Sequence, residues 1–312
     1  MPDESWAVVV EGLVKDFPPV RAVDHLSFRV SAGEIFGLVG PDGAGKTTTM
    51  RVLAGVMAPD EGSAVVCGCD VVRDPEAVKQ HISYMPQRFG LYEDLTVSEN
   101  IRFYADLFGI SRRQREQAAA RLLAACGMSE FSGRLAGKLS GGMKQKLGLV
   151  CALIHTPRLL LLDEPTNGVD PLSRREFWAM LYELAAQGVT IVNSTAYLDE
   201  AERCHRVALM HRGRLLFCDQ PQRLKQRLPG AVIAVVSPIA ARLREELAHA
   251  DGVHSVLLIG DALHLFVDDA ARRIPQISRA LDAKGLFYDE VVRITPTIED
   301  LFVNAVTAQE PH

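Results

Sequence analysis

EIFGLVGPDGAGKTTTMRVLAG, from Glu34 to Gly55, decides the fold. Glu34 to Val39 is a short apolar run of strand type, and Lys46 to Gly55 carries apolar residues at helical spacing and ends in glycine. Between them lies the glycine-rich loop Gly40 to Thr47. Strand, loop and helix in that order make a phosphate cradle: backbone N–H groups converge on phosphate oxygens while the positive end of the helix dipole faces the same anion. Gly40, Asp42, Gly43, Ala44 and Gly45 form the loop, the Lys46 ammonium would reach the β and γ phosphates, and Thr47, followed by Thr48, would offer a hydroxyl to Mg²⁺. Alone, the pattern implies a nucleoside triphosphate and no more.

Two further segments narrow it. In LLLLDEP, Leu159 to Pro165, four leucines precede two acids, the pattern of a buried parallel strand that ends at the carboxyl edge of a sheet. There Asp163 would hold the hydration shell of Mg²⁺ and Glu164 would orient and deprotonate an attacking water. The rival reading is an ordinary exposed turn before Pro165. LSGGMKQ, Leu139 to Gln145, places Ser140, Gly141 and Gly142 at a helix N-terminus without side-chain bulk, a second phosphate site in a chain that already has one.

With these motifs in this order, the chain resembles the ATP-binding cassette (ABC) ATPases from its start to about residue 225. The resemblance implies an α/β P-loop core with an antiparallel β subdomain and a helical subdomain. It further implies that the signature loop of one subunit closes over ATP held by the P-loop of its partner. Residue by residue, it makes Phe17 in VKDF the aromatic that stacks on adenine and Gln87 in YMPQ the glutamine near Mg²⁺ and the attacking water. Asp170, in NGVDP, becomes the aspartate that contacts the partner subunit. From the residues alone, the rival readings are a strand-end core aromatic for Phe17 and a surface loop amide for Gln87.

One position departs from the family. Where a switch histidine is expected after the strand Val189 to Val192, the chain has Ser194, Thr195, Ala196, Tyr197. A methyl group donates no hydrogen bond to a γ-phosphate or to Glu164 and its water, so hydrolysis should be slow. A local register shift that brings in another donor, or water positioning without histidine, are the alternatives. His205 lies further along a helical-looking stretch, LDEAERCHRV, and should point elsewhere. Asp42 stands where the family has asparagine, and a carboxylate beside phosphates is electrostatically unwelcome.

The 312 residues, 48% hydrophobic and with a net charge of −5, leave room for one large and one small domain and offer no broad basic surface for nucleic acid. Arg112, Arg113 and Arg115 fit a solvated helix face. No apolar run approaches bilayer length, and the start MPDESW is acidic where a signal peptide is basic, so the expected place is the cytoplasm, peripheral to the membrane. Six scattered cysteines lack metal or redox spacing and fit reduced thiols.

The expected organisation is a cassette over residues 1–228, beginning with an antiparallel strand region from Ala7 to Val30 and holding a helical lobe at about 95–150. A small β-α-β-β-α-β domain of ferredoxin-like order should occupy residues 229–312, for regulatory contact or dimer support. Phe89, Leu91 and Tyr92, just beyond Gln87, are the residues expected to receive a membrane partner. The closing TPTIEDLFVNAV resembles exporter ATPases of the ABC-2 and drug-resistance kind. That resemblance implies a subunit powering a multidrug exporter, with permease subunits and a second cassette, in homodimer or tandem, as partners. The P-loop variant with the missing histidine looks like the first half of tandem exporter ATPases. The rivals are a nucleotide-gated scaffold with little turnover and a soluble ABC protein acting on ribosomes or DNA.

Overall fold

The computed structural model describes residues 6–88 and 90–307. They divide into two compact units, one running to Glu200 and including Cys204–Cys218, the other Ala201–Arg203 with the chain from Asp219 onward.

The first unit contains β1 (Trp6–Phe17), β2 (Val20–Ser31), β3 (Ile35–Val39), α1 (Lys46–Leu53), β4 (Glu61–Val66), β5 (Cys69–Asp70), α2 (Pro75–His81) and β6 (Ile82–Met85). It continues through α3 (Val97–Leu107), α4 (Arg112–Ala125), α5 (Gly141–Leu153), β7 (Leu159–Asp163), α6 (Pro171–Ala186), β8 (Thr190–Thr195), α7 (Leu198–Ala201), β9 (Arg206–His211) and β10 (Arg214–Asp219). One sheet has the order β2-β1-β4-β5, with antiparallel pairing. The other has six strands in the order β10-β9-β3-β8-β7-β6, parallel from β9 to β6.

Every residue of β3, β7 and β8 is buried, as strands covered on both faces require, and this explains why Leu159–Asp163 shows no polar alternation. Parallel pairing brings the carboxyl ends level: Val39 sits opposite Thr195, and Asp163 opposite Ser194. The loop after β3, the acids ending β7 and the serine and threonine ending β8 therefore reach one edge of the sheet, where open α/β folds bind ligands.

Helices α3 and α4 each open with a reciprocal capping box, Thr96 with Glu99 and Ser111 with Gln114. Helix α5 is capped by the Ser140 hydroxyl, which accepts from the Met143 N–H at 3.3 Å.

The helical reading of LDEAERCHRV is corrected. Only Leu198–Ala201 is helical, and Arg206 already begins β9, where Phe36–Val39 of β3 pairs with Arg206–Leu209. Sheet pairing of the apolar run Val207–Met210 overrides a local apolar spacing that suits a helix equally well. His205 lies outside any helix and accepts from the Ile35 N–H at 2.8 Å, at the start of β3.

The second unit contains α8 (Pro221–Lys225), β11 (Ala231–Val236), α9 (Ala240–Ala248), β12 (Val253–Ile259), β13 (Ala262–Val267), α10 (Ala270–Ala283), β14 (Glu290–Ile294) and α11 (Ile298–Thr307). Its sheet order β12-β13-β11-β14, antiparallel throughout, is that of a split β-α-β sandwich. Arg273, buried to 4% exposure, bonds Asp268 through two nitrogens at 2.7 and 2.6 Å and Asp251 at 2.6 Å. Gly252 lies flat against that guanidinium at φ +75°, where any Cβ would collide with it. Gly252→Ala is expected to destabilise this unit by about 1–3 kcal/mol, through left-handed strain and displacement of Arg273. Urea unfolding followed by circular dichroism would show the lowered midpoint.

Candidate functional site

At the shared sheet edge the P-loop residues meet the two acids. Gly45 turns the loop into α1 at φ +98°, and a Cβ there would strike the carbonyl oxygen of Ala22. The Lys46 side chain is 3% exposed; its ammonium donates to the carbonyl oxygens of Gly40 at 2.7 Å and Pro41 at 3.0 Å and pairs with Glu164 Oε1 at 3.1 Å. The ammonium thus folds back on its own loop and on the acid.

Asp163 is held from three elements. Its Oδ1 accepts from Thr47 Oγ1 at 3.1 Å and Ser194 Oγ at 2.7 Å, and its Oδ2 accepts from the Tyr84 hydroxyl at 3.2 Å. Burial, and then the neighbouring Asp163 charge, pushes the Tyr84 phenol up to about 12, which keeps it protonated and a donor at neutral pH. Thr47 and Asp163 together present oxygen donors only, a hydroxyl and a carboxylate. That chemistry suits a hard cation such as Mg²⁺, which keeps waters and phosphate oxygens for its remaining positions.

Glu164 follows Asp163 with φ +51°, an uncommon conformation for a non-glycine residue. Its N–H is fixed by the Ser194 carbonyl and hydroxyl, both at 3.1 Å. The outer carboxylate oxygen, Oε2, accepts from Gln87 Nε2 at 3.1 Å and Asn167 Nδ2 at 3.4 Å. Gln87 therefore bonds Glu164, while Thr47 and Asp163 form their own pair.

Beside Glu164 opens a cleft of about 210 Å³ lined by Asp42, Thr166, Asn167, Thr195, Ala196 and Tyr197. Asp42 is exposed at its rim, and Ala196 contributes only a methyl. Phe17 ends β1 with 44% of its surface exposed and Lys15 Nζ 5.7 Å from its ring centre, so it is not a core aromatic. The start of β2 reaches the P-loop through Ala22.

Ser140, Gly141, Gly142 and Asp170 form a second group. Gly142 is buried beside Ser173, and Asp170 caps α6 by accepting from the Ser173 N–H at 2.9 Å, a bond that also lowers its pKa. Among the described residues, no hydrogen bond joins Ser140–Gly142 to the P-loop.

Of the residues expected to meet a membrane partner, Phe89 lies outside the described residues. Tyr92 is 47% exposed, edge-on to Phe103 at 4.6 Å, with its N–H bonded to Asn100 Oδ1 at 2.9 Å. Sequence reasoning missed Ser194, Tyr84, Asn167 and Tyr197 as neighbours of the two acids. Only the tyrosine beside Ala196 left any local signal. Ser194 and Tyr84 depend on which strands are adjacent, and Asn167 lies three residues beyond Glu164 in the turn after β7.

The ABC transporter family model matches residues 23–167. The chain is 45% identical over 312 residues to a probable multidrug ABC transporter ATP-binding protein of Escherichia coli, with 97% of this chain and 53% of that protein covered. It thus spans about half the length of that relative. It is 37% identical over 291 residues to a Nod factor export ATP-binding protein of Burkholderia thailandensis, covering 93% of each. A daunorubicin resistance ATP-binding protein of Streptomyces coeruleorubidus is 33% identical over 305 residues, with 96% and 95% covered. Among solved structures, an ATP-binding subunit of an ABC transporter superposes with a TM-score of 0.64 at 31% identity, covering 71% of this chain and 92% of that one.

Proposed function

The chain belongs to the ATP-binding subunits of ABC transporters, and from that premise we propose that it binds and hydrolyses Mg·ATP to drive an ABC-2 type exporter of the multidrug kind, with hydrolysis slowed by Ala196. The observation that carries this reading is the Lys46–Glu164 ion pair beside the Thr47–Asp163 pair, which unites a phosphate cradle, a cation site and a general base at one sheet edge.

A triphosphate entering the loop offers Lys46 stronger partners than the two backbone carbonyls it now holds, since charge-assisted bonds to phosphate exceed neutral ones. Lys46 then leaves Glu164, and the freed Oε1 faces the water to be activated while Gln87 stays on Oε2. Resting and loaded states thus differ in the availability of the base. Mg²⁺, bound by Thr47 and Asp163, would neutralise charge on the phosphates; Ser194 and Tyr84 keep the Asp163 carboxylate turned toward that place.

Among the described residues, the signature residues Ser140, Gly141 and Gly142 bond to no part of this chain's own P-loop, which supports their use on a partner's ATP in a head-to-tail dimer. Differential affinity of ATP for the closed dimer is the source of work on the permease subunits. Tyr92, exposed beside the Gln87 loop, is the proposed docking residue. The proposed location is the cytoplasmic side of the membrane, where permease partners would hold the chain.

Ala196→His is expected to raise kcat roughly tenfold with little change in KM, the pattern of an interaction made in the transition state. One well-placed donor is worth about 10²–10³ in rate, and the gain falls short because Asp42 stays at the cleft rim and no neighbour orients the new imidazole. Steady-state ATPase kinetics on both proteins decides it. Brisk wild-type turnover with no gain from histidine would overturn the slowed-site reading.

A further inference from the structure

With Ala196 unable to donate, the side chains lining the cleft differ in what they can do for Glu164. Asp42 only accepts and repels. Thr195 Oγ1 accepts from the Tyr197 N–H at 3.0 Å, and Thr166 Oγ1 donates to Glu200 at 2.7 Å. Asn167 is the cleft residue seen donating to the acid: its Nδ2 donates to Glu164 Oε2 at 3.4 Å.

An amide can turn either way, and its orientation follows from its other partner. Here the Tyr197 hydroxyl donates to Asn167 Oδ1 at 3.4 Å, which turns the NH₂ toward Glu164. Tyr197 is in turn fixed by its ring, with the Arg174 guanidinium 4.2 Å from its centre. Arg174 lies 3.7 Å from Glu200 and 3.8 Å from Asp199, and Glu200 is fully buried on its bond from Thr166. The chain of contacts runs from α6 and α7 to the carboxylate without passing through residue 196.

We propose that Asn167 and Tyr197 form a relay that orients the Glu164 carboxylate toward the water that attacks ATP, sustaining the turnover that remains without a histidine at position 196. The proposal rests on Glu164 being the general base. Both are positioning residues: they act through Glu164. Bonds of this length in a resting site tighten when substrate closes it. The relay gains weight on loading, because Glu164 Oε1 then gives up Lys46 and the carboxylate is held through Oε2 alone.

Tyr197→Phe removes the hydroxyl and keeps the ring under Arg174; Asn167→Ala removes the amide. Each is expected to lower kcat on the order of fivefold, about the average net worth of one hydrogen bond, with KM and the affinity for a non-hydrolysable ATP analogue unchanged. The double variant should lose no more than either single one, because both break the same relay. Wild-type kcat in Tyr197→Phe, a double loss equal to the product of the single losses, or a change confined to KM would each overturn the relay. If Asn167→Ala fails to fold, the Tyr197→Phe kinetics decide alone. Glu164→Gln is the control: full activity there overturns the base assignment together with the relay, whereas a dead Glu164→Gln beside an unaffected Tyr197→Phe overturns the relay only.

Discussion

Lys46→Ala is expected to weaken Mg·ATP binding on the order of a hundredfold, the worth of roughly one strong charge-assisted hydrogen bond. The ammonium is 3% exposed and rests within hydrogen-bond distance of two loop carbonyls and one carboxylate, partners it exchanges for phosphate oxygens when the nucleotide arrives. Its loss also leaves the Glu164 carboxylate unpaired where phosphate charge must enter, which adds repulsion to the missing attraction. Titration calorimetry with a non-hydrolysable analogue gives the affinity, and a melting curve shows that the variant is folded. Unchanged affinity in a folded variant would remove the P-loop assignment.

Glu164→Gln is expected to lower ATP turnover by roughly 10²–10⁴-fold, the range of a general base, with the fall near the lower end because Ala196 already slows the wild type. Binding should hold or improve. The amide keeps the shape and can still bond Gln87 and Asn167, while the negative charge that would face the phosphates is gone. Single-turnover measurements separate the two effects.

Much of this site was legible in the chain itself because its signals are local. The loop Gly40–Thr47 needs glycines at fixed offsets, and Leu159–Asp163 needs apolar residues on both faces, so each announces itself over a few residues. The clamp on Asp163 is different. Thr47, Ser194 and Tyr84 come from α1, β8 and β6, and their meeting depends on the strand order β3-β8-β7-β6, which no single segment encodes. The same holds for Asn167 and Tyr197, joined across a turn and a strand end.

The stretch after Ala196 was misread for the converse reason. Its apolar residues satisfy helical spacing, but Val207–Met210 is claimed by β3, and a parallel pairing partner lies far away in sequence. The β-α-β-β-α-β order was readable because its strands and helices alternate over short distances with glycine breaks, whereas the capture of Arg273 between Asp251 and Asp268 was not.

In the proposed function, two copies of this cassette, or this one with a second cassette, complete each other's sites around ATP. Sedimentation velocity of purified Glu164→Gln with and without Mg·ATP tests it most directly, since the variant binds without discharging the nucleotide. A shift to twice the monomer mass that requires ATP and is lost with ADP is the expected result. A monomer under every nucleotide condition, with the heterologous cassette of the same transporter also supplied, would contradict it.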